Sequence, residues 1–151
     1  MMKSLRVEVQ NLEVAYRRRR MAWVLKVPRL RLKGRGIALL VGESGSGKST
    51  LLRVLVGLIP WIYPADVAGY VNVLGFNPLE EAGFNRLRVL VGYAPQSTDY
   101  AFANLYVEDE LLAREEVLRR HGMKVALSAY DVSEALGLSE YLGYRIDSLS
   151  G

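Results

Sequence analysis

Apolar and polar residues alternate through the first part of the chain. Leu5-Arg6-Val7-Glu8-Val9 and Leu12-Glu13-Val14-Ala15-Tyr16 place apolar side chains at every second position, the pattern of a strand with one buried face. They predict one long or broken strand. Arg17 to Arg20 are expected to form the turn and Ala22 to Leu32 the returning antiparallel strand, with Pro28 at an edge or bulge because proline cannot donate to a ladder. Ile37-Ala38-Leu39-Leu40-Val41 is a continuous apolar run, as expected of a parallel strand buried on both faces. A helix is predicted from Lys48, stopping near Gly57-Leu58-Ile59-Pro60. Gly69 to Gly75 reads as a strand, Asn77 to Asn85 as a loop or short helix, and Leu87 to Ala94 as a strand ending at Pro95-Gln96. From Tyr106 to Arg120 the spacing of Val107, Leu111, Leu112 and Leu118 is helical, with acids early and bases late. Gly122 breaks that helix, Met123 to Leu136 supplies a further helical stretch, and a short segment from Gly137 leads to Leu149-Ser150-Gly151.

Between the apolar run and the first helix lies Gly42-Glu43-Ser44-Gly45-Ser46-Gly47-Lys48-Ser49-Thr50, which fits the phosphate-binding pattern G-x-x-x-x-G-K-[ST]. A phosphate needs several donors aimed at one point with no side chains in the way. Gly42, Gly45 and Gly47 can take the dihedrals that turn successive N–H groups inward, and the helix that follows points its positive dipole end at the anion. Lys48 supplies a cation for the β- and γ-phosphates, and the Ser49 hydroxyl is placed to ligate Mg²⁺. Ser44, Ser46 and Thr50 complete the candidate contacts. The pattern predicts binding of a nucleoside triphosphate.

At 151 residues the chain is long enough for one domain with its own core. No apolar run approaches the ~20 residues of a membrane span, and Lys3, Arg6 and Glu8 argue against a signal peptide. There is no cysteine and one histidine, His121, which removes disulfides, thiolate metal sites, histidine triads and multi-histidine metal centres. These features point to a cytosolic protein. The net charge of +4 is unevenly spread. Arg17 to Arg20, Lys26, Arg29, Arg31, Lys33 and Arg35 crowd one stretch, and the remainder is net acidic. Val24, Leu30 and Leu32 interleave with those cations, as on a half-exposed sheet, so the stretch alone names no partner.

The order of these pieces resembles the ATP-binding subunit of an ABC transporter over nearly the whole chain. Tyr16 matches the aromatic that stacks on adenine in that family. Leu87 to Gln96 resembles the strand and glutamine of the Q-loop, which makes Gln96 an Mg²⁺ ligand and a sensor of the membrane subunit. Leu149-Ser150-Gly151 looks like the opening of the signature motif LSGGQ. Gly57-Leu58-Ile59-Pro60, Tyr63-Pro64, Val67 to Val73 and Val107-Glu108-Asp109-Glu110 resemble the energy-coupling-factor ATPases of vitamin and metal-ion importers. Ser97, Thr98, Ala101 and Tyr106 depart from that group, which commonly has Asp or Asn, Pro, Gln and Thr there.

The resemblance implies an α/β P-loop NTPase (RecA-like) fold with an antiparallel β part over 1–36, a P-loop core over 37–96, a helical subdomain over 97–148 and the start of the signature at 149–151, cut before the Walker B strand. It implies ATP and Mg²⁺ as ligands, a second ATPase subunit in a homo- or heterodimer, and a transmembrane subunit, with no direct nucleic-acid contact and only indirect membrane contact at the inner face. Ser150 and Gly151 would act on the partner's ATP. No catalytic residue is assigned: the Walker B aspartate, the catalytic glutamate and the switch histidine would follow Gly151, His121 precedes the signature, and Asp131 and Asp147 follow no apolar strand. The piece is expected to bind Mg·ATP without turning it over and to expose apolar edges that favour association. The alternatives are a soluble ABC-family ATPase acting on nucleic acid or in translation, and a non-catalytic nucleotide-binding regulator.

Overall fold

The computed structural model describes residues 5–16, 24–97 and 102–149. The chain divides into two compact units, Met1–Gly92 and Tyr93–Gly151.

The first unit is built on a three-stranded antiparallel sheet of order β2-β1-β3, formed by β1 (Leu5–Tyr16), β2 (Val24–Gly34) and β3 (Ala65–Val73). The alternating pattern of the sequence sets the buried face: Val7, Val9, Leu12 and Val14 of β1 face the core with Leu25 of β2 and Val71 and Val73 of β3. Val9 and Leu12 are three residues apart, so strict alternation must slip by one. The slip is a bulge between Gln10 and Glu13, where Asn11 takes a positive φ of 48°. Gly69 lies opposite with φ 107°, and a Cβ there would collide with the Asn11 carbonyl. The predicted turn at Arg17 to Arg20 lies outside the described residues.

Three helical segments cover the buried face. In α1 (Lys48–Leu55), Leu51 and Val54 reach the core. Gly57, at φ 81°, ends that run and leads into the single turn α2 (Leu58–Trp61), whose Ile59 is buried. In α3 (Glu81–Leu90), Leu87 is fully buried. Trp61 donates its indole N–H to the Pro78 carbonyl at 3.0 Å and stacks on Phe84.

Two expected strands are absent. Ile37 to Val41 has no strand partner among the described residues, and Ile37 is fully exposed and Leu39 84% exposed. A parallel strand exists only with neighbours to pair its backbone and helices to cover it. Here both edges of β1 are taken by β2 and β3, so the antiparallel sheet forms without a parallel core strand. The second correction concerns Leu87 to Ala94. Leu87 to Leu90 form the last turn of α3, the Val91 N–H donates to the Leu87 carbonyl at 2.8 Å, and residues 91–97 form no strand. Two features favour the helix: Asn77 organises its approach by accepting from Leu79 N and donating to Glu80, and buried Gly83 and Leu87 lie one turn apart on the core side.

The second unit is helical. It contains α4 (Val107–Arg120), α5 (Ala129–Ala135) and short 3-10 turns at Ser139–Tyr141 and Ile146–Ser148. The start of α4 is anchored by Glu110, whose carboxylate accepts from Ala103 N, Asn104 N and Asn104 Nδ2. Gly122, at φ 67°, ends it, with Met123 N donating to the Leu118 carbonyl. The helical stretch expected over Met123 to Leu136 is confined to Ala129–Ala135 because Ser128 and Asp131 form a capping box that fixes where helix begins. Glu115 accepts from Ala129 N at 2.7 Å and Glu108 from the Tyr130 hydroxyl at 2.7 Å, which joins α5 to α4.

Candidate functional site

The loop Gly42 to Gly47 feeds directly into α1. Gly45 and Gly47 hold φ of 81° and 97°, values that glycine tolerates and a β-carbon resists. Gly47 caps the helix and has no side chain to accept from its first amides. A Cβ at Gly45 would meet nothing within 4 Å, whereas one at Gly42 would come 2.9 Å from Ser46 Oγ. The loop therefore has open space beside Gly45 and is closely packed at Gly42.

Lys48 folds back over the loop. Its ammonium donates to the Gly42 carbonyl at 2.8 Å and the Glu43 carbonyl at 2.6 Å, with Ser46 Oγ at 3.5 Å. The cation has carbonyl dipoles but no carboxylate counter-charge in these contacts, so it remains available to an anion. The next two residues diverge. Ser49 is exposed, whereas Thr50 is buried and its Oγ1 lies 3.1 Å from the Tyr16 hydroxyl. One turn on, the Arg53 guanidinium sits 4.6 Å above the Tyr63 ring, a cation–π contact that holds the connection after α1 against the helix.

Of the residues singled out in the sequence, the structure brings together Gly42, Ser46 and Lys48 in the loop, and Tyr16 with Thr50 behind it. Gln96 is exposed and belongs to the other unit. Ser150 and Gly151 lie outside the described residues. Sequence reasoning missed the Tyr16–Thr50 contact, for which the only signal was an aromatic residue closing a strand. Among the described residues no group of three His, Asp or Glu side chains forms a metal cage. A divalent ion bound here would need a ligand set completed by phosphate oxygens, which suits an ion arriving with a nucleotide.

An antiparallel sheet packed on a helix that opens from a glycine-rich loop, with a lysine at the loop's mouth, defines a phosphate-binding domain. The ABC transporter family matches residues 25–151, and the chain belongs to that family as an ATP-binding domain, with the P-loop NTPase fold that membership implies. A putative ABC transporter ATP-binding protein of Enterococcus faecalis is 40% identical over 115 residues, covering 75% of this chain and 20% of the relative. The zinc transport system ATP-binding protein TroB of Treponema pallidum is 30% identical over 150 residues, 96% of this chain and 51% of the relative. The energy-coupling factor transporter ATP-binding protein EcfA1 of Mycoplasmopsis pulmonis is 33% identical over 121 residues, 79% of this chain and 42% of the relative. The chain thus spans between a fifth and about half of the length of these relatives.

Proposed function

We propose that this chain is the Mg·ATP-binding part of an ABC importer ATPase of the energy-coupling-factor type, coupling the nucleotide cycle to solute movement through a transmembrane subunit. The observation that carries the reading is the loop from Gly42 to Thr50 at the start of α1, open at Gly45, with the Lys48 ammonium held only by neutral oxygens.

The residues fit the ligand. The loop amides and the α1 dipole receive the triphosphate, and Lys48 exchanges the Gly42 and Glu43 carbonyls for the β- and γ-phosphates. Ser49, exposed beside it, offers a hydroxyl to Mg²⁺. Mg²⁺ when bound supplies charge neutralisation at the phosphates. Tyr16 presents its ring to adenine while its hydroxyl stays on Thr50. Ser150 and Gly151 belong to the surface offered to the nucleotide of a second ATPase subunit. Attachment to the inner face of the membrane follows through the transmembrane subunit. No acid within these 151 residues is assigned to activating water.

The test is Mg·ATP affinity and turnover of the 151-residue chain beside its Lys48→Ala variant and, where the reading frame continues, the longer product. Lys48-dependent binding without turnover in the 151-residue chain is the expected result. Family-like turnover by the 151 residues alone would overturn the reading.

A further inference from the structure

The sheet has a second face, which the nucleotide reading does not use. Directly opposed residues of an antiparallel pair share a face, and the register gives three consecutive rows across the sheet. Arg29, Gln10 and Tyr70 form one, Arg31, Glu8 and Asn72 the next, and Lys33 pairs with Arg6 in the third. All lie on the face opposite Val7, Val9, Leu30, Leu32, Val71 and Val73. The cations are exposed. Arg29 and Lys33 make no ion pair among the described residues. Glu8 is already engaged: Arg31 donates to its carboxylate at 2.6 Å and Gln10 at 3.1 Å, which neutralises the one acid in these rows and fixes the Arg31 guanidinium. Beyond the bulge Glu13 is paired with Lys26 at 2.8 Å, and Asp66 lies at the far end of the sheet. Between β1 and β2 a groove of about 210 Å³ is lined by Arg6, Glu8, Arg31 and Lys33 over Val7 and Leu32.

We propose that this face is a docking surface for the anionic headgroups of a lipid bilayer, in addition to any attachment through a membrane subunit. Alternate residues of a strand are about 7 Å apart, so Arg29, Arg31 and Lys33 form a row of cations that a plane of headgroup phosphates meets simultaneously. Arginine's planar fork suits phosphate, and the groove by Arg6 and Lys33 accommodates one headgroup. Tyr70, half exposed on the same face, is an amphipathic side chain suited to the interfacial layer. A single-stranded nucleic acid calls for a succession of aromatic platforms, and the rows hold one. A duplex calls for an element that enters a groove, which a sheet face does not provide. The inference rests on the transport reading only for the presence of a membrane.

The experiment is co-sedimentation of the 151-residue chain with vesicles of phosphatidylcholine alone or mixed with phosphatidylglycerol, at low and raised salt. Binding is expected to the anionic vesicles only and to weaken with salt. Each cation removed should cost roughly fivefold, so Arg29→Ala with Lys33→Ala should cost roughly twenty-five-fold, and Gln10→Lys should gain roughly fivefold. Thermal melts confirm folding, and unchanged Mg·ATP affinity in the same variants separates this face from the nucleotide loop. Absence of vesicle binding by the unaltered chain would overturn the proposal. So would binding that survives the double substitution and is lost only when Arg17 to Arg20 are replaced, or tighter binding to a single-stranded oligonucleotide at equal phosphate concentration.

Discussion

The hydroxyl of Tyr16, the last residue of β1, lies 3.1 Å from Thr50 Oγ1 in the first turn of α1. The contact spans 34 positions of sequence and ties the end of the sheet to the helix that carries the glycine-rich loop. A neutral hydrogen bond contributes about 0.5–1.5 kcal/mol net. Tyr16→Phe and Thr50→Val should each lower stability by about that amount, and a double-mutant cycle in denaturant should return a coupling of similar size. Additive effects would mean that the two hydroxyls do not support each other.

The same residue separates stability from ligand binding. If the Tyr16 ring stacks on the base, Tyr16→Phe keeps nucleotide affinity and Tyr16→Ala loses roughly 1–3 kcal/mol of it, the range for base–aromatic stacking. Calorimetric titration with Mg·ATP distinguishes the two, and equal loss in both variants would remove the ring from the site.

Lys48 rests on neutral carbonyls, so its removal leaves no buried charge unpaired. Lys48→Ala is expected to leave the melting temperature nearly unchanged while weakening Mg·ATP by roughly 1.5–3 kcal/mol, the range for a charged hydrogen bond. A large drop in melting temperature would show that the lysine's main role is to hold the loop.

Gly83 sits buried inside α3, where helix propensity alone favours alanine by about 1 kcal/mol. An alanine Cβ there would run into the Asn77 carbonyl, and overpacking of this kind costs about 1–3 kcal/mol. Gly83→Ala should therefore lower the melting temperature. A more stable variant would mean that α3 and the Asn77 turn are not packed as described.

Asp131 accepts from both the backbone N–H and the hydroxyl of Ser128, and these bonds hold its carboxyl below the usual carboxylate range. Its folded pKa is depressed, so its contribution is complete above the unfolded value of about 4 and is lost as pH falls through the lower folded value. Wild type and Asp131→Asn should differ in thermal stability near neutral pH and converge in strong acid. A difference that persists undiminished in acid would rule out the carboxylate as the source.

Exposed Leu39 and Val41 are available to other molecules. Leu39→Ser with Val41→Thr should reduce self-association of the 151-residue chain in sedimentation velocity without lowering its melting temperature. Unchanged association would place the sticky surface elsewhere.

Much of the local structure could be read directly from the sequence. Alternation through Leu5 to Tyr16 gave the hairpin's first strand, because a strand's two faces are distinguished by parity alone. Acids early and bases late, with Gly122 beyond, bounded α4, because helix ends leave polar groups that particular residues satisfy. The spacing of Gly42, Gly47 and Lys48 marked the loop, because phosphate binding is a local property of consecutive amides. Asn11 was not legible as a bulge, since only the demand that Val9 and Leu12 face the same core reveals the slipped residue.

What tertiary structure alone decided are the matters of pairing. Ile37 to Val41 and Leu87 to Ala94 both carry strand-like composition, yet neither forms a strand among the described residues, because a strand's backbone is satisfied only by another strand and no sequence names its own neighbour. For the same reason no local pattern brings the Tyr16 hydroxyl to Thr50, or lines up Arg29, Gln10 and Tyr70 across three strands. The sequence by itself determined the hairpin, the helix ends and the phosphate loop, whose causes lie within a few residues. Packing determined which apolar run entered the core and which charges came to share a face, because those depend on chain segments far apart in sequence.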